Sequence, residues 1–167
     1  MKFAHFSDVH IGGWREEQLK VMSIQAFLKA VDICISENVA FVLISGDLFN
    51  TALPQIEYIK DTAFELRRLK DNNIAVYIIP GSHDFSATGK TMIDVFEKSG
   101  LIINVMKIED GKLKFTLVPK TNVKLTGMFG RKGALEKQEY EDTDFSEIES
   151  GEGFKIFLFH TALEELK

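Results

Sequence analysis

Five residues of this chain carry side chains suited to divalent metal ions, and each stands just downstream of a short apolar run. Phe3 to Phe6 leads into Ser7-Asp8-Val9-His10. Phe41 to Ser45 leads into Gly46-Asp47-Leu48-Phe49-Asn50. Ile74 to Ile79 leads into Pro80-Gly81-Ser82-His83-Asp84, and Ile156 to Phe159 leads into His160. Imidazole and carboxylate are hard-to-borderline ligands that suit manganese, zinc or iron. These loops offer no sulfur, which argues against a structural zinc site of the cysteine type. Asp8 and His10 are two apart, so an extended segment would turn both to one side, where they could share an ion. Asp47 has two carboxylate oxygens that can bridge two ions, and His160 brings an imidazole from a fourth strand end. Two ions ~3.5–4 Å apart suit phosphate-ester hydrolysis, because they hold the attacking water and the phosphoryl oxygens together. A histidine beside them that is not a ligand can give a proton to the leaving oxygen, and His83 is the candidate. Singly these residues say little, since Asp after a strand is often a cap or turn residue. Their joint placement after four strands carries the argument. His5, inside the first run, is expected to pack and is given no chemistry.

The elements that must position these groups read as an α/β protein. Residues 3–6 form a first strand. Glu17 to Glu37 has its apolar residues at helical spacing, with Asn38 as a stop. Residues 40–45 are apolar on both faces, as in a strand covered on both sides. Pro54 is expected to open a second helix running to about Asn72. Residues 74–79 make the next buried strand, where Pro80-Gly81 marks its end. Thr88 or Thr91 caps a short helix through Lys98, stopped by Ser99-Gly100, and Leu101 to Val105 is a further strand. Two successive strand–helix–strand units imply parallel pairing with right-handed crossovers. Beyond them, Asp110-Gly111 reads as a hairpin turn between 105–108 and 113–118. Lys124 to Phe129 is one more strand, and the acidic stretch from Leu135 to Gly153 reads as an exposed helix or mobile segment. The whole is expected to be a central mixed sheet with helices outside and metal ligands at one end of its strands.

Size and composition bound the rest. A chain of 167 residues is about one domain, with 27% charged and 45% hydrophobic residues, as in a soluble globular protein. No apolar run approaches the ~18 residues of a membrane span, and the N-terminus lacks the features of a signal peptide. The single cysteine, Cys34, sits in a helical pattern, reads as a small buried hydrophobe, and fits a reducing, cytoplasmic setting. A net charge of -5 argues against general electrostatic wrapping of nucleic acid, although bound cations reverse the field locally.

Asp8-Val-His10, Gly46-Asp47 and Gly81-Ser-His83-Asp84 resemble the first three motifs of calcineurin-like metallophosphoesterases, D-x-H, G-D and G-N-H-D/E. The runs Phe6 to Gly12 and Gly46 to Phe49 are similar to the nuclease subunit of double-strand-break repair complexes, the Mre-eleven/SbcD type. Phe157-Leu-Phe-His160 matches the fourth motif. The resemblance implies a metallophosphoesterase-type β-sandwich flanked by helices. It implies that Asp8 and His10 bind one of two divalent ions, most simply manganese. Asp47 would bridge both, Ser82 and His160 would bind the second, and His83 would be the catalytic histidine. The implied activity is exonuclease and endonuclease cleavage of DNA phosphodiesters by a two-metal mechanism. The implied partners are DNA, an SMC-like ATPase of the Rad-fifty type, and a second copy bound through helices after Pro54 and Thr88.

Three departures stand against the family pattern. Position 82 is Ser where the family has Asn, which shortens the arm that reaches the second ion. Asn50 stands where repair nucleases often carry a second histidine; an amide can hydrogen-bond a phosphate but is no general acid near neutral pH. The closing G-H-x-H motif is absent, so each ion would have about three protein ligands. Residues 1–167 are accordingly expected to be the N-terminal part of a nuclease domain, without the later metal motif or the capping and partner-binding regions. Two other readings stay open: a phosphoesterase acting on a nucleotide or small phosphoester, and a non-catalytic scaffold for DNA or an ATPase. Arg15, Lys90 and Arg131-Lys132 are candidate phosphate neighbours, of which Arg15 and Lys90 lie close in sequence to the site loops. Trp14 could flank the site or pack, and Phe49 and Phe85 are expected to pack beneath the loops.

Overall fold

The second strand, β2 (Phe41–Ser45), is buried along its whole length, and its side chains divide between two cores. Val42 and Ile44 pack with Phe27, Val31 and Cys34 of α1 (Glu17–Ser36) and with Leu66 and Leu69 of α2 (Ile56–Asp71). Phe41 and Leu43, on the opposite face, pack with Val123 and Leu125 of another sheet. The strict alternation follows from the period of two along a strand. It explains why the sequence shows no polar face here. The computed structural model describes residues 1–85, 91–131, 136–149 and 152–161.

The first sheet has the order β1 (Ala4–Phe6), β2, β3 (Ala75–Ile79), β4 (Ile103–Asn104), and every pairing in it is parallel. Helices α1, α2 and α3 (Met92–Lys98) cover one face. A hairpin of β5 (Ile108–Glu109) and β6 (Lys112–Leu113) follows, turning at Asp110 and Gly111, both at positive φ as a two-residue hairpin requires. The second sheet has the order β7 (Thr116–Leu117), β8 (Val123–Met128), β9 (Phe154–Phe159), with α4 (Glu136–Asp142) and α5 (Ser146–Glu149) between its last two strands. β7–β8 is antiparallel and β8–β9 parallel. The molecule is therefore a two-sheet sandwich with helices outside the first sheet.

Helix ends are set as the sequence suggests. Asn38, Asn73 and Gly100 take left-handed backbone after α1, α2 and α3, and Val39, Ile74 and Leu101 donate back to the helix carbonyls of Cys34, Leu69 and Phe96. Thr91 and Asp94 form a reciprocal capping box on α3.

Several expectations are corrected. The mixed sheet is the second one, while the central sheet is purely parallel. Pro54 lies two residues outside α2, whose N-cap is Gln55. The stretch 113–118 is not one strand: it divides between β6 and β7, which belong to different sheets. β4 is only two residues long. The acidic stretch holds two short helices, fastened to the second sheet by Phe145 against Phe157 at 6.3 Å between ring centroids. No helix among the described residues is long and apolar enough to cross a membrane.

Candidate metal centre

The loops after β1 and β2 run side by side and continue the parallel pairing in distorted form. Asp8 N–H donates to Gly46 O at 3.3 Å, His10 N–H to Asp47 O at 2.9 Å, and Ile11 N–H to Leu48 O at 3.1 Å. Asn50 N–H returns to Ile11 O at 3.2 Å. Asp8, His10 and Asp47 all have positive φ, at 52°, 47° and 50°. The extended backbone expected for Asp8 and His10 is thus corrected: left-handed turns, held by the neighbouring loop, bring the two side chains together. Strain of this kind persists only where surrounding bonds over-determine it.

The third loop is tied in by Asp84. Its buried carboxylate accepts N–H bonds from Gly81 at 2.9 Å, Phe49 at 3.1 Å and Leu48 at 3.3 Å, so one side chain clasps the β2 and β3 exits together. Burial pushes its carboxyl above the usual range, against the pull of those N–H donors. The fourth loop arrives from the second sheet. His160 donates Nδ1–H to Ser45 O at 2.9 Å, which turns Nε2 toward the carboxylates. The centre therefore sits at the C-terminal ends of strands from both sheets.

Asp47 is its hub. Oδ2 lies 2.7 Å from His83 Nδ1, 3.3 Å from His160 Nε2 and 3.6 Å from His10 Nε2, and Oδ1 accepts the His83 backbone N–H at 2.8 Å. Burial alone would raise the Asp47 pKa. The bonds from His160 and His83 outweigh it and hold the carboxyl well below its ordinary range. The bond to Asp47 pushes His160 up to about 9, against burial. Asp8 Oδ1 stands 3.7 Å from His10 Nε2 and 4.0 Å from His160 Nε2. Two groups of donors, His10–Asp47–His83 and Asp8–Asp47–His160, each lie within 4.8 Å and share Asp47. Donor atoms about 2 Å from a common ion lie roughly 3–4 Å from one another, so the set fits divalent cations. The chemistry fits as well: two carboxylates, imidazoles with one nitrogen tied back, and a hub 2% exposed.

Glycines make the convergence possible. A Cβ on Gly46 would overlap the His160 ring, and one on Gly130 would overlap His160 O and Cδ2. Asn50 is placed otherwise than expected. Its Oδ1 takes Nδ1–H of His10 at 3.1 Å, which turns the His10 Nε2 toward the carboxylates. Ser82 lines the cleft beside Asp8 and His160, with Oγ 3.5 Å from His83 Nδ1. Arg15 is exposed and lines neither cleft next to the centre. Lys90 lies outside the described residues. Trp14 is 56% exposed and borders a groove of about 680 Å³ with Asp8, His10, Phe6 and Phe27, so it flanks the centre. Phe49 is buried as expected, and Phe85 packs on Phe129 at 5.0 Å. His5 corrects its expectation. It lies on edge strand β1, is exposed, and meets Ser45 Oγ at 2.8 Å.

Sequence reasoning missed the clasp made by Asp84 and the hold of Asn50 on His10. Asp84 was in plain view inside Gly-Ser-His-Asp. Arg131, a candidate phosphate neighbour that lies far from the motif loops in sequence, lines a cleft of about 480 Å³ with Ser7, Asp8, Ser82 and His160; Lys132 lies outside the described residues.

Comparison with known proteins places the chain in a family. A family model described as calcineurin-like phosphoesterase matches residues 1–165. A DNA double-strand break repair protein Mre11 of Archaeoglobus fulgidus is 33% identical over 108 residues, 61% of this chain and 24% of that protein. Its counterpart in Thermoplasma acidophilum is 29% identical over 167 residues, 96% of this chain and 43% of that protein. The chain thus spans less than half the length of these relatives. A solved nuclease MPE of Pseudomonas putida is 19% identical with a TM-score of 0.44, over 74% of this chain and 60% of that one. With the family model spanning nearly every residue, including all the clustered carboxylates and imidazoles, this chain belongs to the calcineurin-like phosphoesterase family.

Proposed function

We propose that this chain is the catalytic part of a metal-dependent phosphodiesterase that cleaves DNA. The observation that carries the reading is Asp47: one buried carboxylate shared by two donor groups, with three imidazoles around it. By the resemblance, Asp8 and His10 would hold one divalent ion, Asp47 both, and His160 with Ser82 the second, with manganese the expected metal; the distances instead group Asp8 with His160 and His10 with His83 around Asp47. Such ions supply an activated water and neutralise charge on the phosphoryl oxygens. The chain's own residues do the rest. His160 and His10 have Nδ1–H tied to Ser45 O and Asn50 Oδ1, so each offers Nε2. Asp47 grips the Nδ1 of His83 and its backbone N–H, which leaves Nε2 as the atom that holds and gives a proton to the leaving oxygen. DNA as substrate is supported by the repair proteins among the relatives. The resemblance in the motif loops supports a Rad-fifty-type ATPase partner and pairing with a second copy.

The test is hydrolysis of an aryl phosphodiester and of linear DNA with manganese. The parent chain should cleave both and prefer DNA, and Asp47→Asn should abolish both. Binding of DNA and manganese without any cleavage would favour the scaffold reading instead.

A further inference from the structure

Beside the metal centre lies a cation with an unusual mount. β8 ends at Met128, and Gly130 N–H donates to Pro80 O at 3.2 Å, which pins the β8 exit to the β3 exit. The next residue is Arg131. Its guanidinium carbon lies 4.9 Å from the Phe129 ring centroid and 5.8 Å from that of Phe85, and Nη2 meets Glu139 Oε1 at 2.8 Å. The side chain remains 44% exposed. Two aromatic rings and one carboxylate thus hold the guanidinium, which also borders the cleft. Arg131 is the only lysine or arginine among the described residues lining that cleft, which it shares with Asp8, Ser82 and His160. The chain is acidic overall, with a net charge of -5, so a fixed cation at this spot stands out from its surroundings.

We propose that Arg131, mounted on Phe85 and Phe129, binds a backbone phosphate of a nucleic-acid strand on the His160 side of the centre. This rests on the phosphodiesterase reading for its substrate class and adds where the strand runs. Guanidinium suits the role: its planar fork pairs with phosphate oxygens by charge-assisted bonds, and stacking fixes it at little entropic cost. Glu139 is a positioning residue. It competes for one edge of the fork and holds the plane.

The test is binding of a short fluorescein-labelled single-stranded oligonucleotide in EDTA, read by anisotropy over a salt series. Arg131→Gln should weaken binding about tenfold, the scale of one charge-assisted contact. It should also lower the magnitude of the log–log salt slope by about 0.7, the value for one phosphate contact on a single strand. Arg131→Lys should restore the slope and part of the affinity. Glu139→Gln should bind as tightly as the parent or tighter. An unchanged slope in Arg131→Gln overturns the proposal, as does a parent chain that fails to bind. Equal loss of binding and of melting temperature in Arg131→Gln and Glu139→Gln also overturns it, because the residue would then be a staple for α4. Manganese-dependent hydrolysis of an aryl phosphodiester by the parent chain is measured separately. Hydrolysis with no dependence of binding on Arg131 sinks this inference alone. Arg131-dependent binding with no hydrolysis sinks the phosphodiesterase reading alone.

Discussion

Gly81 lies so close to Asp47 that a Cβ on it would overlap both the backbone nitrogen and Oδ1 of Asp47. The glycine is there for space rather than for backbone freedom, since its φ is not positive. Gly81→Ala must therefore push the hub carboxylate aside. Misplacing a reacting group by ~1 Å can cost about a hundredfold in rate. Manganese affinity should fall with hydrolysis, while far-UV circular dichroism stays native. A Gly81→Ala chain with parental metal affinity would show that the hub tolerates displacement.

Much of this was legible from residue order alone. Strand ends deliver chemistry in α/β folds, and the apolar runs at 41–45 and 74–79 were unbroken enough to mark those ends. The Asp and His that follow them were therefore visible as a set. The second sheet was harder to read. β7 has two residues and β9 pairs with β8 across α4 and α5, so no local pattern announces either register. Arg131 was named as a phosphate neighbour, but its place beside the site was hidden for the same reason. Its nearness to His160 depends on the β8–β9 pairing and on the bond between Gly130 and Pro80, both long-range. Asn50 was read by what an amide can do to phosphate, and nothing in the sequence says that its Oδ1 is taken by His10.

Asp84 separates stability from metal binding. It is 2% exposed and serves three backbone N–H groups of two loops. Asp84→Ala leaves those donors without a partner and should cost roughly 3–5 kcal/mol, beyond the usual range for a single change. Asp8, whose side chain is 57% exposed, should lose under about 1 kcal/mol as Asp8→Ala while losing manganese affinity. Urea denaturation in EDTA beside calorimetric metal titration resolves the two. Equal destabilisation by both changes would refute the clasp.

Asn50 should act on the metal through His10. Removing a partner that orients a ligating imidazole typically costs 10–100-fold in metal affinity. Asn50→Ala is expected near the lower figure, about tenfold, because Asp8 and Asp47 still confine the ring. Were Asn50 instead a phosphate contact, KM would rise with metal affinity unchanged, so a titration of rate against manganese and against substrate distinguishes the roles.

The pairing of His160 with Asp47 makes the metal-free fold sensitive to pH. His160 is raised from an ordinary 6.5 to about 9, so the stability it gains from Asp47 is complete below pH 6.5 and is lost as pH climbs through 9. Asp47 is lowered from an ordinary 3.8, so its share is complete above that value and is lost as pH falls below it. The melting temperature in EDTA should therefore plateau between about pH 4 and 6.5 and decline toward pH 9. His160→Gln should flatten the alkaline side of that curve. A cation must displace the His160 proton to use Nε2, so manganese affinity should rise with pH over the same alkaline range. Calorimetry in two buffers of different ionisation enthalpy should register proton release on binding near pH 7. Binding with no proton release, together with a level melting curve from pH 6.5 to 9, would mean that His160 is already neutral at rest and would refute its ionic pairing with Asp47.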